Sequence, residues 1–163
     1  MDKQQIGLIG KHILIADLMA ADLEVAEPLR DRGIDLIAFR DGVDGGKFEA
    51  CPIQLKTASS ATFSVDKKYE HFSDLRIVYV WKTKNPVDAE FYCLTYPEAI
   101  SVLKAMNGSQ ISSVENTGHW VSTNPSGTLK KKLEDFQVKE PKDWPSRLGM
   151  TESSVVSQEP MHH

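Results

Sequence analysis

The sequence is poor in cysteine and has no long apolar run, and each absence narrows the kind of protein it encodes. Cys51 and Cys93 are the only cysteines among 163 residues, which argues against a disulfide framework and fits a reducing compartment. No apolar stretch approaches the roughly 20 residues of a membrane span. The first residues, MDKQQIG, lack the apolar segment of a signal peptide. We therefore expect a cytoplasmic protein that does not associate with membranes.

An excess of positive charge is also missing. The net charge is -4, which argues against coating of nucleic acid through overall charge but leaves room for a local basic groove. With 40% hydrophobic and 26% charged residues, the composition is that of an ordinary globular protein. The length predicts one domain. We place it at residues 1–138, followed by an extended, partly disordered tail at 139–163, where proline, serine and charge accumulate.

The order of elements predicts an α/β (α+β) fold with a central mixed sheet of about four or five strands flanked by helices. Apolar periodicity and turn residues predict a first helix over 5–21, strands at 23–29, 33–39, 47–58, 75–81 and 90–96, and later helices at 95–106 and 128–136. Residues 109–124 are expected to form a loop with a short strand at 119–122. Residues 59–74 are ambiguous, with an extended piece followed by a helical turn near Tyr69.

The hairpin formed by the second and third strands brings three polar residues together. A turn centred between Asp44 and Gly45 pairs residues whose numbers add up to 89, and Asp35 is thereby set opposite Gln54. Such a cross-strand pair has Cβ atoms about 5 Å apart. Lys56 follows Gln54 by two residues and therefore lies on the same face of the strand.

A carboxylate, an amide and a lysine in this arrangement suit metal-assisted hydrolysis of a phosphodiester. Asp35 and the Gln54 amide oxygen are hard ligands for Mg²⁺ or Mn²⁺, and the backbone carbonyl of Leu55 is a further oxygen beside them. A bound cation polarises the phosphoryl oxygen and lowers the pKa of a water. Lys56 would orient or deprotonate that water, or stabilise the developing charge.

Asp35, followed after a glycine-rich turn by Gln54-Leu55-Lys56, resembles the PD-(D/E)xK nuclease superfamily. The stretches GIDLIAF and IQLKTA are similar to its homing-endonuclease-like subgroup, in which glutamine replaces the acidic residue. The resemblance covers residues 6–106 and implies a restriction-endonuclease-like core. It also implies that Asp35 and Gln54 are metal ligands, that Lys56 is the catalytic lysine, and that DNA is the substrate. Relatives commonly dimerise, so a homodimer is compatible with it.

The chain departs from this pattern at two positions, and two other classes of function stay open. The proline of the motif is missing before Asp35, and the first helix offers Lys11, His12 and Asp17 where many relatives carry a glutamate ligand. A binding module that kept the fold and lost the chemistry is the main alternative, and a structural subunit is the other. For the polar trio itself, the alternatives are an Asp35–Lys56 ion pair and a solvated strand face.

Several lysine pairs are candidates for contacts with phosphates of the DNA backbone. They fall in the ambiguous segment and directly after the strand at 75–81. These candidates are Lys67, Lys68, Lys82 and Lys84.

Overall fold

The computed structural model describes residues 1–42, 45–106 and 109–151. In chain order these residues form α1 (Lys3–Ala20), β1 (Glu24–Ala26), β2 (Leu36–Arg40), β3 (Glu49–Thr57), β4 (Phe63–Asp66), β5 (Arg76–Trp81), β6 (Glu90–Leu94), α2 (Tyr96–Lys104), α3 (Ser109–Thr117), β7 (His119–Ser122), α4 (Gly127–Leu133), β8 (Gln137–Val138) and α5 (Trp144–Arg147). No helix in these ranges is both long enough and apolar enough to cross a membrane.

The described strands form a six-stranded mixed sheet in the order β1-β2-β3-β5-β6-β8, with a separate pair of β4 and β7. Strands β3 and β5 are parallel, and the other neighbours in the large sheet are antiparallel. The predicted mixed sheet flanked by helices is therefore confirmed. It exceeds the expected four or five strands because β8, with two residues, is too short to leave a periodic signal.

The predicted register of the β2–β3 hairpin is confirmed. Leu36 lies opposite Ile53, and the backbone N–H of Asp35 donates to the Ile53 carbonyl at 2.8 Å. That bond joins Asp35 to Ile53, the partner of Leu36, so the regular pairing ends at Leu36. Asp35 meets Gln54 through its side chain. Residues 43 and 44, at the expected centre of the turn, lie outside the described ranges.

Helix α1 packs closely on the central strand β3. Asp2 caps the helix and forms a reciprocal capping box with Gln5. A side chain at Gly10 would collide with Thr57, since a Cβ there would lie 2.3 Å from the Thr57 Cγ2. The glycine thus lets the helix approach the end of β3 where the predicted site residues lie.

The sheet separates two apolar cores. One lies on the α1 side and consists of buried residues such as Leu14, Leu18, Leu36, Ile53, Val78, Val80 and Trp144. The other lies between the sheet, β4, β7, α2, α3 and α4, and consists of residues such as Phe63, Tyr69, Ile77, Tyr79, Leu94, Val102, Val114 and Leu129. Consecutive β5 residues alternate between the two cores, as the strand period requires.

Two segments differ from the sequence prediction. Residues 109–117 form α3 and not a loop, because Val114 is buried in the core and Ile111 packs against it. The expected tail at 139–163 also needs correction, since its first part, up to Thr151, packs on the domain. Trp144 is fully buried, and Leu148 and Met150 are nearly so. Residues 152–163 lie outside the described ranges.

Candidate active site

The candidate site forms where β3 extends past its neighbour β2. Pairing with β2 ends at Ile53, whereas β3 continues to Thr57 and pairs there only with β5 on its other side. The backbone N–H and C=O of one residue point to the same edge of a strand, and this direction repeats every second residue. Leu55 therefore directs both groups toward an edge where β2 has ended.

Asp35 and Gln54 occupy this open edge. The Asp35 Oδ2 accepts from the backbone N–H of Leu55 at 2.7 Å and from the Gln54 side-chain nitrogen Nε2 at 2.7 Å. The same Nε2 donates to the Leu55 carbonyl at 3.3 Å. One carboxylate oxygen and one carbonyl oxygen thus converge on a single point, which the amide nitrogen of the nearly buried Gln54 occupies.

Asp35 also borders a small open cleft of about 210 Å³, which we call the Asp35 cleft. Its other residues are Gly7, Lys11, Leu55 and Thr57. The α1 residues that reach the cleft are therefore a glycine and a lysine. Lys11 is ion-paired with Glu27 at 3.1 Å.

The acid of α1, Asp17, does not border the Asp35 cleft. Asp17 accepts from the indole nitrogen of Trp144 at 2.6 Å and is held against the C-terminal segment. Among the described residues, no group of three or more His, Cys, Asp and Glu converges on one point. Asp35 is the acid that borders the cleft.

Lys56 lies on the same face of β3 as Gln54 but is directed toward Tyr69. Its ammonium lies 3.5 Å from the Tyr69 hydroxyl and 5.5 Å from the centre of the Tyr69 ring. The Asp35–Lys56 ion pair, one alternative reading of the trio, is absent from the described residues, whose ion pairs lie elsewhere. The hydrogen bond between Gln54 and Asp35 is present.

The four lysines proposed for phosphate contacts are exposed and fall into two groups. Lys67 and Lys68 belong to the 3-10 turn Lys67–Tyr69, and Lys68 lies 5.0 Å from the centre of the Tyr69 ring. Contact with Tyr69, and to a smaller extent the Asp66 carboxylate, raises the pKa of Lys68. Its positive charge is therefore secure at neutral pH.

The second group follows β5. Lys82 adopts a left-handed backbone conformation with φ of 59° and is ion-paired with Glu90. Lys84 borders the same surface depression as Lys82. Because β5 runs parallel to β3 and Val80 lies opposite Thr57, both lysines emerge at the end of the sheet that carries Lys56.

The sequence did not assign a role at the site to Lys11 or Tyr69. Lys11 stands in the window where relatives carry a glutamate ligand, and it borders the Asp35 cleft. Lys11 is four residues from Gly7, so the two share a helix face, but this face is recognisable only once the packing of α1 on β3 is known. Tyr69 stands in a short stretch without periodicity, and nothing there indicates that it contacts Lys56. A cavity of about 690 Å³ lies between α1, β6 and β8 and borders none of the predicted site residues.

No family model matches the sequence, and no curated protein matches it. A solved structure of a bacterial homing endonuclease, I-Ssp6803I, is similar with a TM-score of 0.48 and 15% sequence identity, over 91% of this chain and 92% of that chain.

Proposed function

We propose that the chain is a divalent-metal-dependent nuclease of the PD-(D/E)xK type that hydrolyses phosphodiester bonds of DNA. The observation that carries the proposal is the convergence of the Asp35 Oδ2 and the Leu55 carbonyl oxygen on the Gln54 side-chain amide, at 2.7 Å and 3.3 Å from its nitrogen. Lys56 stands two residues along the same strand face. These are the groups expected of a D…QxK site.

The donor set fits Mg²⁺ or Mn²⁺. Rotation of the Gln54 amide by about 180° exchanges its nitrogen for its oxygen. Three oxygens, from Asp35, Gln54 and the Leu55 backbone, would then face one point. Oxygens so arranged repel one another unless a cation lies between them, and hard oxygen ligands are the ones that both metals prefer.

Each protein group has a definite task in this proposal. A bound cation would polarise the phosphoryl oxygen and lower the pKa of an attacking water. Asp35 and Gln54 would hold the cation through their side-chain oxygens at the edge of β3, and would thereby position the phosphate that binds to it. Lys56 would orient the attacking water, or stabilise the negative charge that develops on the phosphate. Lys67, Lys68, Lys82 and Lys84 would contact neighbouring phosphates of the DNA.

Cleavage of plasmid and linear duplex DNA, measured with Mg²⁺, with Mn²⁺ and with a chelator, tests the proposal. Asp35→Ala and Lys56→Ala should each abolish cleavage while the circular dichroism spectrum is kept. Lys142→Ala is a matched control, since this exposed lysine is ion-paired only with the exposed Glu140. Cleavage that persists in both site variants would show that the site is wrongly assigned.

One observation favours a second candidate, a module that binds DNA without cleaving it. Asp35 is the one carboxylate bordering the cleft, and the Gln54 nitrogen already satisfies both Asp35 and the Leu55 carbonyl. Titration calorimetry with Mn²⁺ separates the two candidates. Absence of binding at millimolar Mn²⁺ by the folded protein, together with retained DNA binding, would favour the module.

A further inference from the structure

Tyr69 is held beside Lys56 by its local backbone. The Asp66 carboxylate accepts from the Lys68 backbone N–H at 3.0 Å and caps the turn that carries the tyrosine. Tyr69 is 2% exposed and belongs to the core between the sheet and helices α2, α3 and α4. A buried aromatic ring has few accessible rotamers, so its hydroxyl is a rigid point in the molecule.

The same side chain contacts β3 and lies close to the segment that leads into Asp35. Its hydroxyl lies 3.5 Å from the Lys56 ammonium, on the strand that carries Gln54. Its edge lies near Gly33, since a Cβ added there would be 3.6 Å from the Tyr69 Cε1. Gly33 has φ of 87°, a conformation that favours glycine, and precedes Asp35 by two residues.

Lys56 needs such a support to act with a defined geometry. A lysine side chain has four rotatable bonds and loses up to about 2 kcal/mol of rotamer entropy when it is fixed. Among the described residues no carboxylate pairs with Lys56. Its side-chain partner is the buried Tyr69 hydroxyl, and Tyr69 also contacts Lys68.

We propose that Tyr69 is a positioning residue, whose hydroxyl holds the Lys56 ammonium at the candidate site. This inference rests on the proposed function for its consequence in catalysis, but the contact itself is independent of it. Tyr69 does not touch the reacting atoms in this proposal. It limits the region that the ammonium can sample, and so raises the fraction of time in which Lys56 is placed to act.

Tyr69→Phe removes the hydroxyl alone and keeps the buried ring. Tyr92→Phe is the matched control, since it removes a buried hydroxyl that is bonded to Glu90 on β6, separated from β3 by β5. The first measurement is the NMR signal of the Lys56 Nζ in protein labelled with ¹⁵N-lysine, assigned with Lys56→Arg. We expect this signal to shift and to report greater mobility in Tyr69→Phe and to be unchanged in Tyr92→Phe.

The second measurement is cleavage of duplex DNA with Mg²⁺ over a range of DNA concentrations, which gives both kcat and KM. In Tyr69→Phe we expect kcat to fall about tenfold. Tyr69 also contacts Lys68, one of the lysines proposed to contact phosphates, so we expect KM to rise as well, by a smaller factor than the fall in kcat. Tyr92→Phe should cleave at the original rate. A loss confined to KM would overturn the positioning role.

The outcomes separate this inference from the proposed function. A changed Lys56 signal in a protein that cleaves no DNA supports the positioning contact and rejects the nuclease. An unchanged Lys56 signal, or full cleavage by Tyr69→Phe, overturns the inference and leaves the nuclease standing. If Tyr69→Phe does not fold, the converse variant Lys56→Met leaves the core intact, and the Tyr69 ring signals must then shift for the inference to hold.

Discussion

The Asp35 carboxylate accepts a hydrogen bond from the backbone N–H of Leu55 at 2.7 Å, in the place where β2 would supply a partner if it were longer. Asp35 therefore stabilises the end of β3 whether or not a cation is bound. A variant at this position changes both the fold and the proposed chemistry, and the two effects have to be separated.

Asp35→Ala and Asp35→Asn separate them. Both hydrogen bonds to Asp35 end on the same oxygen, so an asparagine can keep both with its single amide oxygen, whereas alanine leaves the Leu55 N–H without a partner. We expect Asp35→Ala to lower the free energy of unfolding by about 1–3 kcal/mol and Asp35→Asn by about 1 kcal/mol or less. Urea denaturation without divalent cations measures this.

The same two variants should both be inactive in DNA cleavage, because asparagine lacks the negative charge that attracts the cation. Equal stability of alanine and asparagine variants would show that the bond to Leu55 contributes nothing to the fold. Full cleavage by the asparagine variant would remove Asp35 from the proposed metal ligands.

Gln54→Glu reverses the electrostatics at the same point. The amide nitrogen now donates to two oxygens, and a carboxylate would set acceptor against acceptor. Without divalent cations we expect Gln54→Glu to unfold at a lower temperature than the original chain, because its free energy of unfolding is lower by about 1–3 kcal/mol. Mn²⁺ should raise the unfolding temperature of Gln54→Glu by more than that of the original chain, because a second carboxylate binds the cation more tightly and binding stabilises the folded state.

Differential scanning fluorimetry with and without Mn²⁺ measures this effect. Gln137→Glu is the control. It adds the same negative charge, but Gln137 belongs to β8 at the far edge of the sheet, away from the cleft. If Mn²⁺ raises the unfolding temperature equally in the original chain, Gln54→Glu and Gln137→Glu, this would argue against a cation site at Gln54.

The part of the site that could be predicted follows from backbone regularity. A hairpin with a short turn has a register that residue numbers determine, and the period of two assigns side chains to faces. These rules give the Asp35–Gln54 pair directly. They also place Lys56 beside Gln54, because neither step requires knowledge of side-chain rotamers.

The direction of Lys56 and the packed C-terminal segment could not be predicted, for two physical reasons. Lys56 and Tyr69 are 13 residues apart and meet through a 3-10 turn, which has no sequence period to extrapolate. The segment after Val138 has the polar composition of a tail. Three of its apolar side chains are nevertheless buried against the domain, those of Trp144, Leu148 and Met150. So few apolar residues do not change the average composition of the segment.

The contact between Trp144 and Asp17 should make this segment essential for stability. Trp144 is fully buried, so Trp144→Ala should lower the free energy of unfolding by about 3–5 kcal/mol. Asp17→Ala leaves the indole N–H unpaired and should cost about 1–3 kcal/mol, whereas Asp17→Asn keeps an acceptor and should cost less. Urea denaturation tests all three, and an unaffected Trp144→Ala would show that the segment does not dock in solution.

Glu49 provides a test of pH dependence in the same region. The hydroxyl and then the backbone N–H of Thr151 donate to Glu49 at 2.6 Å, Arg40 donates to it at 3.0 Å, and these contacts lower its pKa from 4.5 to about 2. Because the folded-state pKa is the lower one, the stabilisation is complete above pH of about 4.5 and is lost as pH falls toward 2.

Glu49→Gln should therefore unfold at a lower temperature than the original chain at pH 7, and this gap should narrow between pH 4.5 and the acid limit of the fold. Thermal unfolding across this range measures the gap. In a Thr151→Val background the gap should depend less on pH, because the hydroxyl that contributes most to the lowered pKa is gone. A gap that is constant with pH in the original background would show that Glu49 has the same pKa in the folded and unfolded chain, and hence that Thr151 does not hold it.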